Sequence, residues 1–170
     1  MGRKSTRENK SVYQLAREEQ GLTLEKAGDL MDGISSERIQ KLESGNAQVQ
    51  PEDVILMARC YKAPELCNYF CTHECAIGRV TMEEVSVKPF SQIAVETLNG
   101  LNRMNRQKER LLEIVEDGRV RKDEYEDFRV ICDTLDKIAA SVNSLKLWVN
   151  SQIARGGIDA DEFSASCRED

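Results

Sequence analysis

Leu22-Thr23-Leu24-Glu25-Lys26-Ala27-Gly28-Asp29-Leu30-Met31-Asp32-Gly33-Ile34-Ser35-Ser36-Glu37-Arg38-Ile39-Gln40-Lys41-Leu42-Glu43-Ser44-Gly45 is the stretch that decides how this chain folds. Thr23 is a side-chain oxygen placed to accept from the first turn of a helix, and Asp32-Gly33 is a stop signal, so a short helix lies between them. Ala27, Gly28, Leu30 and Met31 are expected to form its inward face. A second helix starts at Ser35 or Ser36, buries Ile39 and Leu42, and ends at Gly45. This spacing leaves Ser36, Glu37, Gln40 and Lys41 pointing outward, with Arg38 at a flank.

Helical signals continue on both sides. Ser11 with Gln14 fits a capping box, and Val12, Leu15 and Ala16 place an apolar stripe on a helix that ends near Gly21. Pro51 suits a first helical position, followed by Glu52 and Asp53 at the positive helix end and by Val54, Ile55, Ala58 and Tyr61 as an apolar face. Val85 and Val87 alternate with polar residues before Pro89, which reads as an extended linker. Phe90, Ala94, Leu98, Leu101, Met104, Leu111 and Val115 then recur at helical spacing. Phe128, Ile131, Leu135, Ile138, Val142, Leu145 and Val149 do so again, at alternating three and four. The short connection 117–122 predicts an antiparallel hairpin of two helices, each roughly 40–50 Å long at 1.5 Å per residue. Such a pair buries one stripe per helix, so Tyr125, Leu147, Trp148 and Ile153 are expected at its surface, covered by a second copy or by the chain's own first helices.

The expected organisation is all-α. A basic arm (1–10) precedes a domain of short helices (11–63), a cysteine-rich connection and linker (64–89), the hairpin (90–155) and an acidic tail (156–170). The chain has 170 residues, 40% hydrophobic and 32% charged, with a formal net charge of -6. No run of about 18 uncharged apolar residues is present, which argues against a membrane span, and the polar opening residues argue against export. A cytoplasmic location is expected. The acidity is concentrated after residue 50 and in the tail, where Gly156–Asp170 has one Arg against five acids. A single histidine, His73, leaves little material for histidine-centred catalysis. With no phosphate loop or nucleophile–base pair in view, the sequence does not read as an enzyme.

The block from Leu22 to Gly45 resembles the helix-turn-helix of the phage repressor/Cro-like (XRE) family. The resemblance covers roughly residues 10–63. Its features are Leu22-Thr23 opening the second helix, Ala27 and Gly28 at the tight crossing, Ile34-Ser35 entering the recognition helix, Ile39, Leu42, Glu43 and Gly45 closing it, and Pro51 starting the next. Leu24 stands where the family commonly has Gln, and the turn is one residue longer. The resemblance implies a transcriptional regulator that binds double-stranded DNA as a homodimer, with two recognition helices about 34 Å apart. Gln40 would then face adenine, Lys41 guanine or phosphate, and Glu37 cytosine N4. Thr23, Ser35 and Ser36 sit at the helix starts where phosphates bind, and Arg3, Lys4 and Arg7 of the basic arm would add backbone contacts. Net acidity and Glu37 support the alternative, an adaptor that uses the same fold to bind protein.

Cys60, Cys67, Cys71 and Cys75 fall within sixteen residues. Four soft ligands suit tetrahedral zinc or an iron–sulfur cluster, provided the chain turns around Thr72 to Glu74 or the helix ends before Cys75 and swings it back, because Cys67 and Cys75 on one helix would stand about 12 Å apart. The alternatives are small buried hydrophobes and a redox pair. Cys132 and Cys167 read as incidental.

Overall fold

The computed structural model describes residues 10–166, which form helices without a strand. They fall into two compact units, one within Met1–Glu84 and Val149–Asp170, the other Val85–Trp148. No helix among the described residues is long and apolar enough to cross a membrane.

The first unit opens with α1 (Val12–Glu19), α2 (Leu24–Leu30) and α3 (Ser36–Glu43), each begun by a hydroxyl that takes one of the orphan amides of the first turn. Ser11 accepts from Gln14 N at 3.2 Å, Thr23 from Lys26 N at 3.2 Å, and Ser35 from Arg38 N at 3.3 Å. The capping box expected at Ser11 is half made, because the Gln14 side chain donates forward to Glu18 at 2.9 Å. α4 (Pro51–Cys60) begins with Asp53 accepting from Gln50 N at 3.1 Å. α5 (Glu65–His73) and the single turn α6 (Gly78–Thr81) follow. Their core is one cluster, with Ile39, Met57, Val54, Ala27 and Tyr61 almost without exposed surface, and it extends to Leu66 and Phe70 of α5. The Tyr13 hydroxyl donates to Glu74 at 2.8 Å and so ties α1 to the end of α5.

Three expected core residues are misplaced by one position or so. Leu15, Leu30 and Ile55 are exposed; Ala27, Met31 and Val54 are buried as expected, and Tyr13 and Met57 join them in the core. On a helix a single step rotates a side chain by about 100°, enough to take it from the core to water.

In the second unit α7 (Phe90–Val115) is joined through a 3-10 turn at Lys122–Glu124 to α8 (Tyr125–Arg155), whose residues from Val149 onward, like α9 after it, count with the first unit. Phe90 stacks on Trp148 at 4.8 Å between ring centroids. Gly100 lies against Ile138, and Arg110 Nε donates to Asp127 at 2.7 Å. Each step of ten along α7 is matched by a step of ten or eleven backwards along α8, which is the antiparallel hairpin. The expected seam on α8 is split by the structure. Ile131 is buried and Ile138 and Leu145 are half-buried, whereas Leu135 and Val142 are exposed. Thr134 and Ser141 are buried in their place, their hydroxyls donating to Val130 O and Ile138 O within the helix. Of the four residues expected to stay partly exposed, Tyr125 is exposed and Trp148 and Ile153 are half-buried; Leu147 is buried. α9 (Ala160–Ser166) forms within the stretch expected to fray.

Candidate nucleic-acid interface

α3 is the helix whose outer face matters, and the structure fixes it from three directions. From below, Ile39 and Leu42 enter the core. At its start, α2 crosses closely: a Cβ built on Gly28 would come within 2.9 Å of Ser36 N, so only glycine fits there. At its end, Glu43 accepts from Arg17 in a two-pronged pair, Nε at 2.7 Å and Nη2 at 2.7 Å, with the side chains 5% and 8% exposed. Arg17 also donates to Leu22 O at 2.6 Å, pinning the segment that leads into α2. The Glu43 carboxylate raises the Arg17 pKa above its usual value, against the opposing effect of burial. One buried guanidinium therefore holds α1, the α2 entry and α3 together.

The outward stripe is as expected for Glu37, Gln40 and Lys41, which are exposed on α3. Ser36 is half-buried under the Gly28 crossing. Arg38 does not remain available at the flank. Its guanidinium makes a two-pronged contact with Asp53 on α4, Nε to Oδ1 at 3.2 Å and Nη2 to Oδ2 at 2.7 Å, which raises its pKa through that hydrogen bond. Arg38 thus positions the recognition helix on α4. Neither Arg17–Glu43 nor Arg38–Asp53 is signalled by any helical spacing, because the partners are 26 and 15 residues apart.

Thr23 and Ser35 serve as helix caps, as their position implies. At the start of α2, Glu25 is held charged, its pKa lowered first by its own backbone amide and then by Thr23. The helix end expected to take a phosphate therefore already carries a carboxylate. Glu25, Asp29, Asp32 and Glu37 are all exposed on α2, the turn and α3, against Lys26 and Lys41. Arg3, Lys4 and Arg7 lie outside the described residues, as does Cys167.

The four cysteines do not assemble into a ligand set. Cys60 ends α4, Cys67 and Cys71 occupy successive turns of α5, and Cys75 lies just beyond it; all four are half-buried against the core. Among the described residues, no group of three or more His, Cys, Asp or Glu is gathered closely enough to hold a metal ion. α5 does end before Cys75, at His73, yet the zinc or iron–sulfur expectation finds no gathered ligand group among the described residues. Burial also pushes the Cys60 and Cys67 thiols upward, favouring the neutral form. His73 is used locally, stacked on Tyr69 at 4.3 Å.

Residues 14–65, about a third of the chain, match the family model described as Helix-turn-helix. This segment is a helix-turn-helix domain of the repressor/Cro-like (XRE) kind. No curated protein and no solved structure matches the chain. The match ends at the first residue of α5, whereas the apolar core of the helix-turn-helix domain continues to Phe70.

Proposed function

We propose that the protein is a sequence-specific DNA-binding transcriptional regulator of the repressor/Cro-like class, working as a dimer through its helical hairpin and without covalent chemistry. The observation that carries this reading is the exposed stripe Glu37, Gln40 and Lys41 on a helix whose other faces are locked by the core, Gly28 and Arg17–Glu43. A reading helix needs that rigidity, since base-edge hydrogen bonds are lost by displacements of a few tenths of an ångström. In this assignment Gln40 reads adenine, Lys41 reaches guanine or phosphate, and Glu37 accepts from cytosine N4. Thr23, Ser35 and Ser36 set the register, and Arg3, Lys4 and Arg7 add contacts to the backbone.

The charge pattern sharpens the proposal. Lys10 and Arg17 are paired with Glu18 and Glu43, and Arg38 with Asp53. On α2 and α3 the exposed lysines are Lys26 and Lys41, outnumbered by Glu25, Asp29 and Glu37, so phosphate contacts from these two helices are few and their share of the salt slope is shallow. The test is selection of bound duplexes from a random pool, followed by titration of the enriched sequence. A palindromic consensus is expected, with Gln40→Ala and Lys41→Ala each weakening it by roughly 5- to 150-fold, the equivalent of about 1–3 kcal/mol per base contact. A second reading, an adaptor that binds protein, draws on the exposed carboxylates Glu25, Asp29, Asp32 and Glu37. It is the reading that survives if no sequence is enriched.

A further inference from the structure

The hairpin has two flanks of opposite character. On α7 the residues turned toward α8 run Ile93, Thr97, Gly100, Met104, Gln107, Leu111 and Ile114, all buried or half-buried. The positions just before these in sequence form one flank, which holds Glu96, Arg103, Arg106, Arg110 and Glu113. That flank carries the ion pairs Lys88–Glu96 and Arg110–Glu113. The positions just after them form the other flank, and there stand Leu98, Leu101, Leu112 and Val115, between 50% and 59% exposed.

The same holds on α8. The residues one step past the inward Thr134 and Ser141 are Leu135 and Val142, both exposed, and Cys132 and Ala139 continue their line at the same spacing. Because the two helices run in opposite directions, advancing one residue rotates the side chain about 100° in opposite senses when both are viewed down one axis. The two apolar lines therefore come to the same side of the hairpin.

We infer that this side is the contact surface for a second copy of the chain, the two hairpins closing into an antiparallel four-helix bundle. This rests on the reading of the hairpin as the self-association element and adds which face does it and with what geometry. Three observations select a second copy as the occupant. The first is extent: the line from Leu98 to Val115 runs about 26 Å at 1.5 Å per residue. Two helices wide, it covers on the order of 500 Å², at the upper end of what a single chain usually leaves in water and somewhat over half of the ~800 Å² per partner of a stable interface.

The second is self-complementarity, which a two-fold interface requires. From Leu98 to Val115 the α7 line reads Leu, Leu, Asn105, Lys108, Leu, Val at spacings three, four, three, four, three, the same in either direction. Laid antiparallel on itself it sets leucine and valine against leucine and polar against polar at the centre. The third is the segregation of charge: Lys108 is the only charged residue in that line, whereas the opposite flank of α7 is largely charged. A hairpin meant to stand alone would have both flanks solvated.

Light scattering on the intact protein at micromolar concentration tests the inference. The expected mass is twice 19.3 kDa. Leu101→Glu with Val142→Glu is expected to reduce it to one chain while leaving the far-ultraviolet dichroism unchanged, because both side chains are exposed in the single hairpin. Arg106→Glu on the other flank is expected to leave the pair intact. A wild-type mass of one chain, or a pair that survives the double substitution, overturns the inference. A single chain that still enriches a DNA sequence removes this pairing alone, and a pair that enriches none removes the regulator reading alone.

Discussion

The helix-turn-helix domain closes its apolar residues into a three-dimensional core, whereas the hairpin lines them along one seam and leaves a second line in water. In the domain five short helices meet at angles that bury Ile39, Met57, Val54 and Tyr61 from every side. In the hairpin two long helices can cover only the stripe between them, and Leu98, Leu101 and Leu112 stay outside it. The difference follows from geometry: crossing helices enclose a volume, and two antiparallel ones share only a line. A closed unit can hold a reading surface still, and an open one has a surface left over for association.

Removing a buried tie should break the closed unit most severely. Glu43→Ala leaves the Arg17 guanidinium buried without its carboxylate, and a loss of about 3–5 kcal/mol is expected in urea unfolding followed by dichroism. The double variant Arg17→Met with Glu43→Leu should recover most of that loss, since two apolar groups of similar size need no mutual compensation. A Glu43→Ala protein as stable as the wild type would show that the pair does not hold α1 and α3 together.

The glycines sharpen the contrast at smaller cost. Gly28→Ala gains about 1 kcal/mol of helix propensity yet must move the Ser36 backbone, so a net loss of about 1–2 kcal/mol is expected. In the hairpin a Cβ on Gly100 meets the Ile138 side chain first, at 2.8 Å from Cγ1, with the backbone only at 3.9 Å. A side chain can yield where a backbone cannot. Gly100→Ala should therefore fall within about 0.5 kcal/mol of the wild type, the propensity gain offsetting the repacking. Equal losses at both positions, measured by thermal unfolding, would argue that the helices of the hairpin are held as tightly as those of the domain.

What the sequence reveals of this contrast depends on how local the cause is. The caps at Ser11, Thr23 and Ser35 are legible because donor and acceptor lie three residues apart. Ile39 and Leu42 are legible because α3 has no competing apolar stripe. Leu15, Leu30 and Ile55 are misread because their helices present adjacent apolar residues, and periodicity does not say which the neighbours cover. Arg17–Glu43 and Arg38–Asp53 join residues with no fixed spacing, so only the packed helices reveal them. The hairpin seam is misread for a different reason. Ile131 and Ile138 alternate with Leu135 and Val142 at intervals that suit one stripe, and only the position of α7 separates the inward line from the outward one. The cysteines repeat the lesson, since closeness in sequence brought no common centre once Cys60 closed α4, Cys67 and Cys71 lay on α5 and Cys75 fell beyond it.

The smallest effect expected is on the turn that closes the hairpin. Glu124 accepts from Arg121 N at 2.8 Å and from its guanidinium at 3.0 Å, which caps the 3-10 turn leading into α8. The Arg121 side chain is the larger cause and the backbone amide the next, and together they hold the Glu124 carboxyl below its usual value. A carboxyl whose folded pKa is lowered stabilises fully above its unfolded value of about 4.3 and loses that contribution as pH falls through the lower folded one. Wild-type melting temperature should thus decline as the pH drops from about 5 toward 3, and Glu124→Gln should decline less, having already lost the charge. If the two proteins fall in parallel over that range, acid sensitivity lies with the domain's buried carboxylates, and the open unit is indifferent to the charge at its turn.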